Sequence, residues 1–259
     1  MAVRLVVLGS GSAGNATCIE GGGARILIDA GFSCRELAAR LEAVGVAPHR
    51  LDALVITHEH ADHIRGAALF SRTYRVPVWC TAGTFRAANL GRQGVPAHRE
   101  VVAGTPFAIE GLRLTPFRVP HDAVETVGFG VESNGTRIGY ATDLGHGADE
   151  ARLGLAACDL LVLESNHDVG MVRGGPYPQV VKDRVLSRHG HLDNETAAEL
   201  LGFLAEVRTR TVVLAHLSRT NNRPDLALGA AYRRFEALGR RPPAIHPAGQ
   251  TAPSQWFEA

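Results

Sequence analysis

The segment LVITHEHADHIRG, residues 54–66, carries an apolar stretch straight into three histidines and two acids within six positions. Ionisable groups this dense beside a buried strand are costly unless they share a partner. A metal ion is the natural one, because imidazole and carboxylate together suit zinc, manganese or iron at neutral pH. On an extended segment His58 and His60 face one side, since side chains alternate along a strand. Asp62 and His63 then arise from the turn beyond and address a second position, so one short segment can serve two neighbouring ions. The competing reading is an exposed polar loop in which Asp62 caps the next helix, a role compatible with ligation.

A complete site needs donors from elsewhere in the chain. Three apolar runs end in a His or an Asp: FRVPHDA with His121, GYATDLGH with Asp143 and VVLAHLS with His216. One histidine after a strand is most often a hydrogen-bonded surface residue. Several at successive strand ends, after H-x-H-x-D-H, form a ligand series.

The scaffold can be read from the pattern of apolar runs. Strands are predicted at Val3–Leu8, Thr17–Glu20, Arg25–Asp29, Ala53–Thr57 and Val76–Cys80, each bounded by turn residues. SCRELAARLEAVG reads as a helix with Ser33 as its N-cap and Gly45 as its stop, and HIRGAALFSRTY as a second. From about Glu100 to Tyr140 strands return, with Asn134-Gly135 as a hairpin turn. The last third alternates strand LLVLES, helix NETAAELLGFLAEV, strand TVVLAHLS and helix DLALGAAYRRFEALG. Gly170–Gly190 is the least regular stretch and is expected to be a functional loop, while the tail after Ala244 carries no motif. Strand-rich halves that each end in helices imply two packed sheets with helices outside. Without repeats or linkers, residues 1–259 are expected to form a single domain.

GSGSAG, with Gly9, Gly11, Gly14 and then Asp29, imitates a dinucleotide fingerprint. The segment that follows, NATCIEGGGA, cannot supply the helix such a site needs. A tight turn into a hairpin is expected instead, with backbone N–H groups facing an anion as an option.

Composition narrows the partners. A formal net charge of +1 argues against a strongly basic nucleic-acid footprint and leaves room for a local patch; Lys182 is the single lysine, and arginine carries the rest of the positive charge. Four scattered cysteines fit free thiols in a reducing cytosol, and no apolar run approaches the length of a membrane span. A cytoplasmic location without membrane partners is expected; the oligomeric state is open.

The order H-x-H-x-D-H, His, Asp, His over Leu5–Ser218 resembles the ligand series of the metallo-β-lactamase superfamily. The resemblance implies an αββα sandwich, with His58, His60 and His121 on one divalent ion, Asp62, His63 and His216 on the other, and Asp143 bridging both. GSGSAGN, LIDAGFSCREL, VPHDAVETVGF, ATDLGHG, LLVLESNHD and LAHLSRTNN look like the bacterial YycJ/WalJ-type branch, whose members are described as exonucleases on DNA. The segment ESNHD…RHGHLDNETAAELL is similar to the RNase Z branch, which implies that Glu164 and His191 cooperate in proton transfer.

The resulting expectation is a hydrolase with two divalent ions, Zn²⁺ or Mn²⁺ (Fe also suits the donors), that generates a metal-bridged hydroxide and attacks a phosphodiester of nucleic acid, DNA in particular. Asp62, Glu164 and His191 are the expected catalytic residues. Ser12, Asn15, His167, Ser218, Arg219 and Asn222 are candidate substrate contacts, with Ser10 and Asn221 beside them. An Asp rather than a Cys at position 143 fits nuclease, lactonase and thioesterase branches better than lactamases proper. A thioesterase or lactonase of the glyoxalase II kind is the enzymatic alternative; an NAD-binding oxidoreductase and a non-catalytic metal-binding protein are the alternatives of other classes.

Overall fold

The structure, a computed structural model, describes residues 3–205 and 208–259. Among them two seven-stranded mixed sheets form. The first contains β1 (Arg4–Gly9), β2 (Ala16–Gly21), β3 (Ala24–Ile28), β4 (Ala53–Val55), β5 (Val78–Cys80) and β6 (His98–Glu100). The second contains β7 (Phe107–Ile109), β8 (Leu112–Arg118), β9 (Val127–Ser133), β10 (Thr136–Ala141), β11 (Leu160–Glu164), β12 (Thr211–Ala215) and β13 (Ala244–Pro247). β14 (Phe257–Glu258) returns to pair with β1 at the edge of the first sheet. The tail without a motif thus supplies an edge strand to each sheet.

Side-chain alternation sets the layers. In β1, Leu5 and Val7 enter the cluster between the sheets, while Val6 and Leu8 face outward into a second cluster. In β11, Leu160 and Val162 point between the sheets, and Leu161 and Leu163 point into a third. Strands buried on both faces need helices outside them. Over the first sheet these are α1 (Cys34–Ala43), which buries Leu37 and Leu41, then, past a short α2 (Ala61–Ile64), α3 (Ala67–Tyr74) and α4 (Ala82–Ala87). Over the second lies α5 (Asp149–Leu155); beyond α6 (Val169–Gly174) and α7 (Gln179–Val185), α8 (Asn194–Leu204) and α9 (Pro224–Ala237) complete the layer. This is the αββα sandwich.

Several local expectations hold. Ser33 Oγ accepts from Glu36 N–H at the start of α1, and Asn134 and Gly135 both adopt positive φ in the β9–β10 turn. GSGSAG does form the turn of the β1–β2 hairpin. Its N–H groups are largely spent inside the protein: Ser10 donates to Gly249 O, Gly11 to Asn15 Oδ1, Gly14 to Gly11 O and Asn15 to Asp62 O. The anion-binding option for this turn is therefore withdrawn.

Three expectations need correction. The helix over HIRGAALFSRTY is two helices, α2 and α3, because Gly66 N–H donates to Ala30 O instead of continuing α2. Asp62 lies in the first turn of α2, whose N-cap is His60, so it does not cap the helix. Gly170–Gly190 contains α6 and α7 rather than an irregular loop. The helix predicted over NETAAELLGFLAEV is found as α8; its last two residues, Glu206 and Val207, lie outside the described residues.

Topology decides where functional side chains emerge. β3 to β6 run parallel, as do β10 to β13, and two reversals make β8 run with β10. The carboxyl ends of β3, β4, β8, β10, β11 and β12 deliver Asp29, His58, His121, Asp143, Glu164 and His216. All of them meet at one edge of the sandwich.

Candidate metal centre

Four groups of side chains bring ligand atoms within 4.8 Å of one another: His58, His60 and His121; Asp62, His63 and His216; His58, His63 and Asp143; and Asp143, Glu164, His191 and His216. All seven expected metal ligands fall inside this cluster. Asp143 lies between its two sides, with Oδ2 3.0 Å from His63 Nε2 and Oδ1 3.7 Å from His121 Nε2 and 3.5 Å from His216 Nδ1.

Several of the histidines are aimed by what their other nitrogen touches, as in a metal site with a supporting shell. His63 Nδ1–H donates to Asp29 Oδ2 at 2.7 Å, and Asp29 Oδ1 is held by Thr57 N–H at 2.8 Å. His121 Nδ1–H donates to Gly190 O at 3.1 Å, leaving Nε2 to face His60 Nδ1 at 3.2 Å. His58 Nδ1 hydrogen-bonds Thr57 Oγ1, and Ser10 Oγ accepts from His216 N–H, tying the β1 turn to the second sheet. Asp29, Asp143 and His216 have φ of 62°, 57° and 56°. Such left-handed conformations are uncommon outside glycine, and here they follow strand ends that must turn their side chains inward. Gly31 is needed for a different reason: a Cβ there would sit 1.7 Å from Asp62 O.

The cluster fits divalent cations. His58 Nε2 and His216 Nε2 are buried and have no hydrogen-bond partner, a cost of about 1–3 kcal/mol each unless a ligand takes them. Imidazole nitrogens and carboxylate oxygens are also the donors that borderline divalent ions prefer. Without ions the carboxylates draw protons instead. Burial opposes the charge of His216, yet Asp143, Asp62 and Glu164 carry its pKa up to about 10. Burial likewise disfavours the His63 imidazolium, but Asp143 and Asp29 hold it well above its ordinary range. His58, dominated by burial and repelled by His63, is pushed well below.

Beside the cluster, Glu164 is fully committed. Its Oε1 lies 2.9 Å from both His191 Nδ1 and His216 Nδ1, and its Oε2 accepts from Leu144 N–H at 2.8 Å and Leu192 N–H at 3.1 Å. Despite burial, His191 and His216 lower the Glu164 pKa to about 2, and Glu164 in turn holds the half-buried His191 above its ordinary value. With Nδ1 spent on Glu164, His191 has Nε2 for a cleft of about 220 Å³ whose lining includes His60, Asp62, Asp143, His216 and Ser12.

The expected substrate contacts divide. Ser12 and Arg219 are exposed, and Ser12 lines the cleft. Asn15, His167, Ser218 and Asn222 are buried and bonded within the protein, which corrects their assignment as contacts. Asn15 Nδ2 lies 3.0 Å from His63 Nε2, and His167 Nδ1 lies 3.3 Å from Asn166 Oδ1. Ser218 Oγ accepts from Asn221 N–H, and Asn222 Nδ2 donates to Ser165 O and Asn194 Oδ1. Sequence reasoning missed Asp29, whose signal was an acid closing the apolar run RILID. It also missed Asp122, whose Oδ1 lies 3.3 Å from His121 Nε2 and whose other oxygen pairs with Arg184. No helix among the described residues is long and apolar enough to cross a membrane, and all four cysteines are free.

A family described as "Beta-lactamase superfamily domain" matches residues 24–217 of this chain. "Exodeoxyribonuclease YycJ" of Bacillus anthracis is 32% identical over 241 residues, covering 92% of this chain and 91% of that protein. "Exodeoxyribonuclease WalJ" of Streptococcus pneumoniae is 32% identical over 225 residues, covering 85% and 84%. Among solved structures, the metallo-β-lactamase fold protein YhfI of Bacillus subtilis superposes with a TM-score of 0.76 over the whole of both chains at 16% identity, a likeness of fold.

Proposed function

The chain belongs to the β-lactamase superfamily and is a hydrolase of the metallo-β-lactamase fold, and from that premise we propose that it is a dinuclear metal-dependent phosphodiesterase that degrades DNA from an end. The observation that carries the reading is the His191–Glu164 pair set against the ligand cluster. The relatives named as exodeoxyribonucleases, similar over most of their length, direct it toward DNA.

In this reading His58, His60 and His121 hold one ion, Asp62, His63 and His216 the other, and Asp143 lies between them. Bound divalent ions, Zn²⁺ or Mn²⁺ by donor chemistry, supply Lewis acidity toward water and phosphoryl oxygen. Asp29 and Gly190 fix the tautomers of His63 and His121, so that each presents Nε2 inward. Asp62 reaches into the cleft as an acceptor for a proton of the attacking water, held below the ordinary carboxylate range by His216 and His63 despite burial. His191 does the remaining proton work: Glu164 anchors Nδ1, and the raised pKa keeps a proton on Nε2 for a leaving alkoxide. Ser12, which lines the cleft, and the exposed Arg219 are the candidate phosphate contacts in this reading. Thioester hydrolysis expels a thiolate that needs no such donor, which places the thioesterase alternative second; a lactonase would use the same donor and ranks behind the nuclease reading because the similar proteins are named exodeoxyribonucleases.

The test is degradation of end-labelled single- and double-stranded DNA and RNA with Zn²⁺ or Mn²⁺. Metal-dependent release of short products from DNA is expected. Turnover of thioesters or lactones with no cleavage of any nucleic acid would overturn the proposal.

A further inference from the structure

We propose that α7 and the Arg184–Asp122 ion pair close one side of the cleft, so that a free strand end reaches the ligand cluster and the interior of a continuous strand does not. The inference rests on the nuclease reading above and adds the element that sets end selectivity.

α7 buries none of its residues, so packing into the core does not explain its place. Val181, Arg184 and Val185 fall on one helical face, and that face walls the cleft, while Val180, at its margin, is 74% exposed. Polar contacts pin the wall instead. Lys182 Nζ donates to Arg173 O at 2.8 Å, and His191 N–H donates to Val185 O at 3.2 Å. Gly190 lies so close beneath that a Cβ there would be 2.3 Å from the carbonyl oxygens of both Arg184 and Val185. Gly190 O in turn accepts from His121 Nδ1–H, which couples the base of the wall to the ligand cluster.

The ion pair ties this wall to the loop after β8. Asp122 comes from that loop and pairs with Arg184 Nε. Its Oδ1 lies 3.3 Å from His121 Nε2 and 3.8 Å from His60 Nε2, so the bridge crosses directly beside that histidine pair. The space left, about 220 Å³, falls short of the roughly 300–1,000 Å³ typical of pockets that enclose a drug-sized ligand. A strand running through would have to cross the Arg184–Asp122 bridge.

The experiment compares a linear single-stranded DNA with its covalently closed circle, same sequence, in Mn²⁺. Wild-type protein is expected to degrade the linear strand and leave the circle intact. The double variant Asp122→Ala/Arg184→Ala is expected to raise the ratio of circle to linear cleavage at least about tenfold. Val181→Ala/Val185→Ala, which lowers the same wall without touching its charges, should move circle cleavage in the same direction if the first variant fails to fold. Wild-type cleavage of the circle as fast as the linear strand overturns this inference together with the end-directed part of the nuclease reading and leaves the phosphodiesterase assignment standing, whereas a folded double variant that still spares the circle overturns this inference alone. Failure of wild type to degrade even the linear strand removes the nuclease reading and this inference with it.

Discussion

The two sides of the ligand cluster are built differently. Around His63 everything is interior: the ring and Asp29 are fully buried, Nδ1 donates to Asp29, and Asn15 approaches Nε2. Around His60 the ring is 28% exposed, and its outer neighbour Asp122 is held by Arg184 from the surface. A buried carboxylate–imidazole pair in low dielectric is strongly directional, and breaking it strands a charge. An exposed ion pair is screened and contributes little to stability. The inner side is therefore made for fixed geometry and the outer side for admitting substrate.

That contrast can be broken at its shared point first. Asp143→Ala removes the residue between the two sides and is expected to abolish hydrolysis while the protein stays folded, read by turnover and circular dichroism; full activity would contradict the shared-ligand assignment. Asp29→Ala tests the inner side. Metal affinity should fall about 10–100-fold by titration calorimetry, and stability by about 3–5 kcal/mol in denaturant unfolding.

Metal removal sharpens the same difference. In chelator-treated protein the raised pKa of His216, about 10 against an ordinary 6.5, makes its protonated form stabilising below about pH 6.5. That contribution is lost as pH rises toward 10, so the melting temperature of the metal-free protein should fall over this window. Added Zn²⁺ should restore it. A flat profile would contradict the buried charge pairing. The smallest effect belongs to the outer side: Arg184→Ala should cost at most about 1 kcal/mol of stability, because Arg184 is 60% exposed. A larger loss would mean that α7 is part of the core after all.

Much of this was legible in the sequence. The H-x-H-x-D-H segment and the strand-end His121, Asp143 and His216 are recognisable because ligand chemistry demands particular residue types in compact or strand-terminal positions, whereas the Glu164–His191 couple is drawn only from the resemblance to the RNase Z branch. What escaped was orientation. Asn15, His167, Ser218 and Asn222 read as candidate substrate contacts, yet folding turns each into the interior, where a partner satisfies it. Asp29 read as part of a cofactor imitation, yet it steers His63.

The sequence by itself determined which side chains could bind ions and, through its alternating apolar runs, that two sheets would stack with helices outside. Periodicity and residue chemistry are local properties, and a linear string carries them in full. Only the tertiary structure decided that six strand ends meet at one edge, that Asp29 and Gly190 O aim His63 and His121, and that α7 with Arg184 and Asp122 walls the cleft. Those outcomes depend on strand direction, register and through-space approach between residues as far apart as Asp122 and Arg184, which no local pattern encodes.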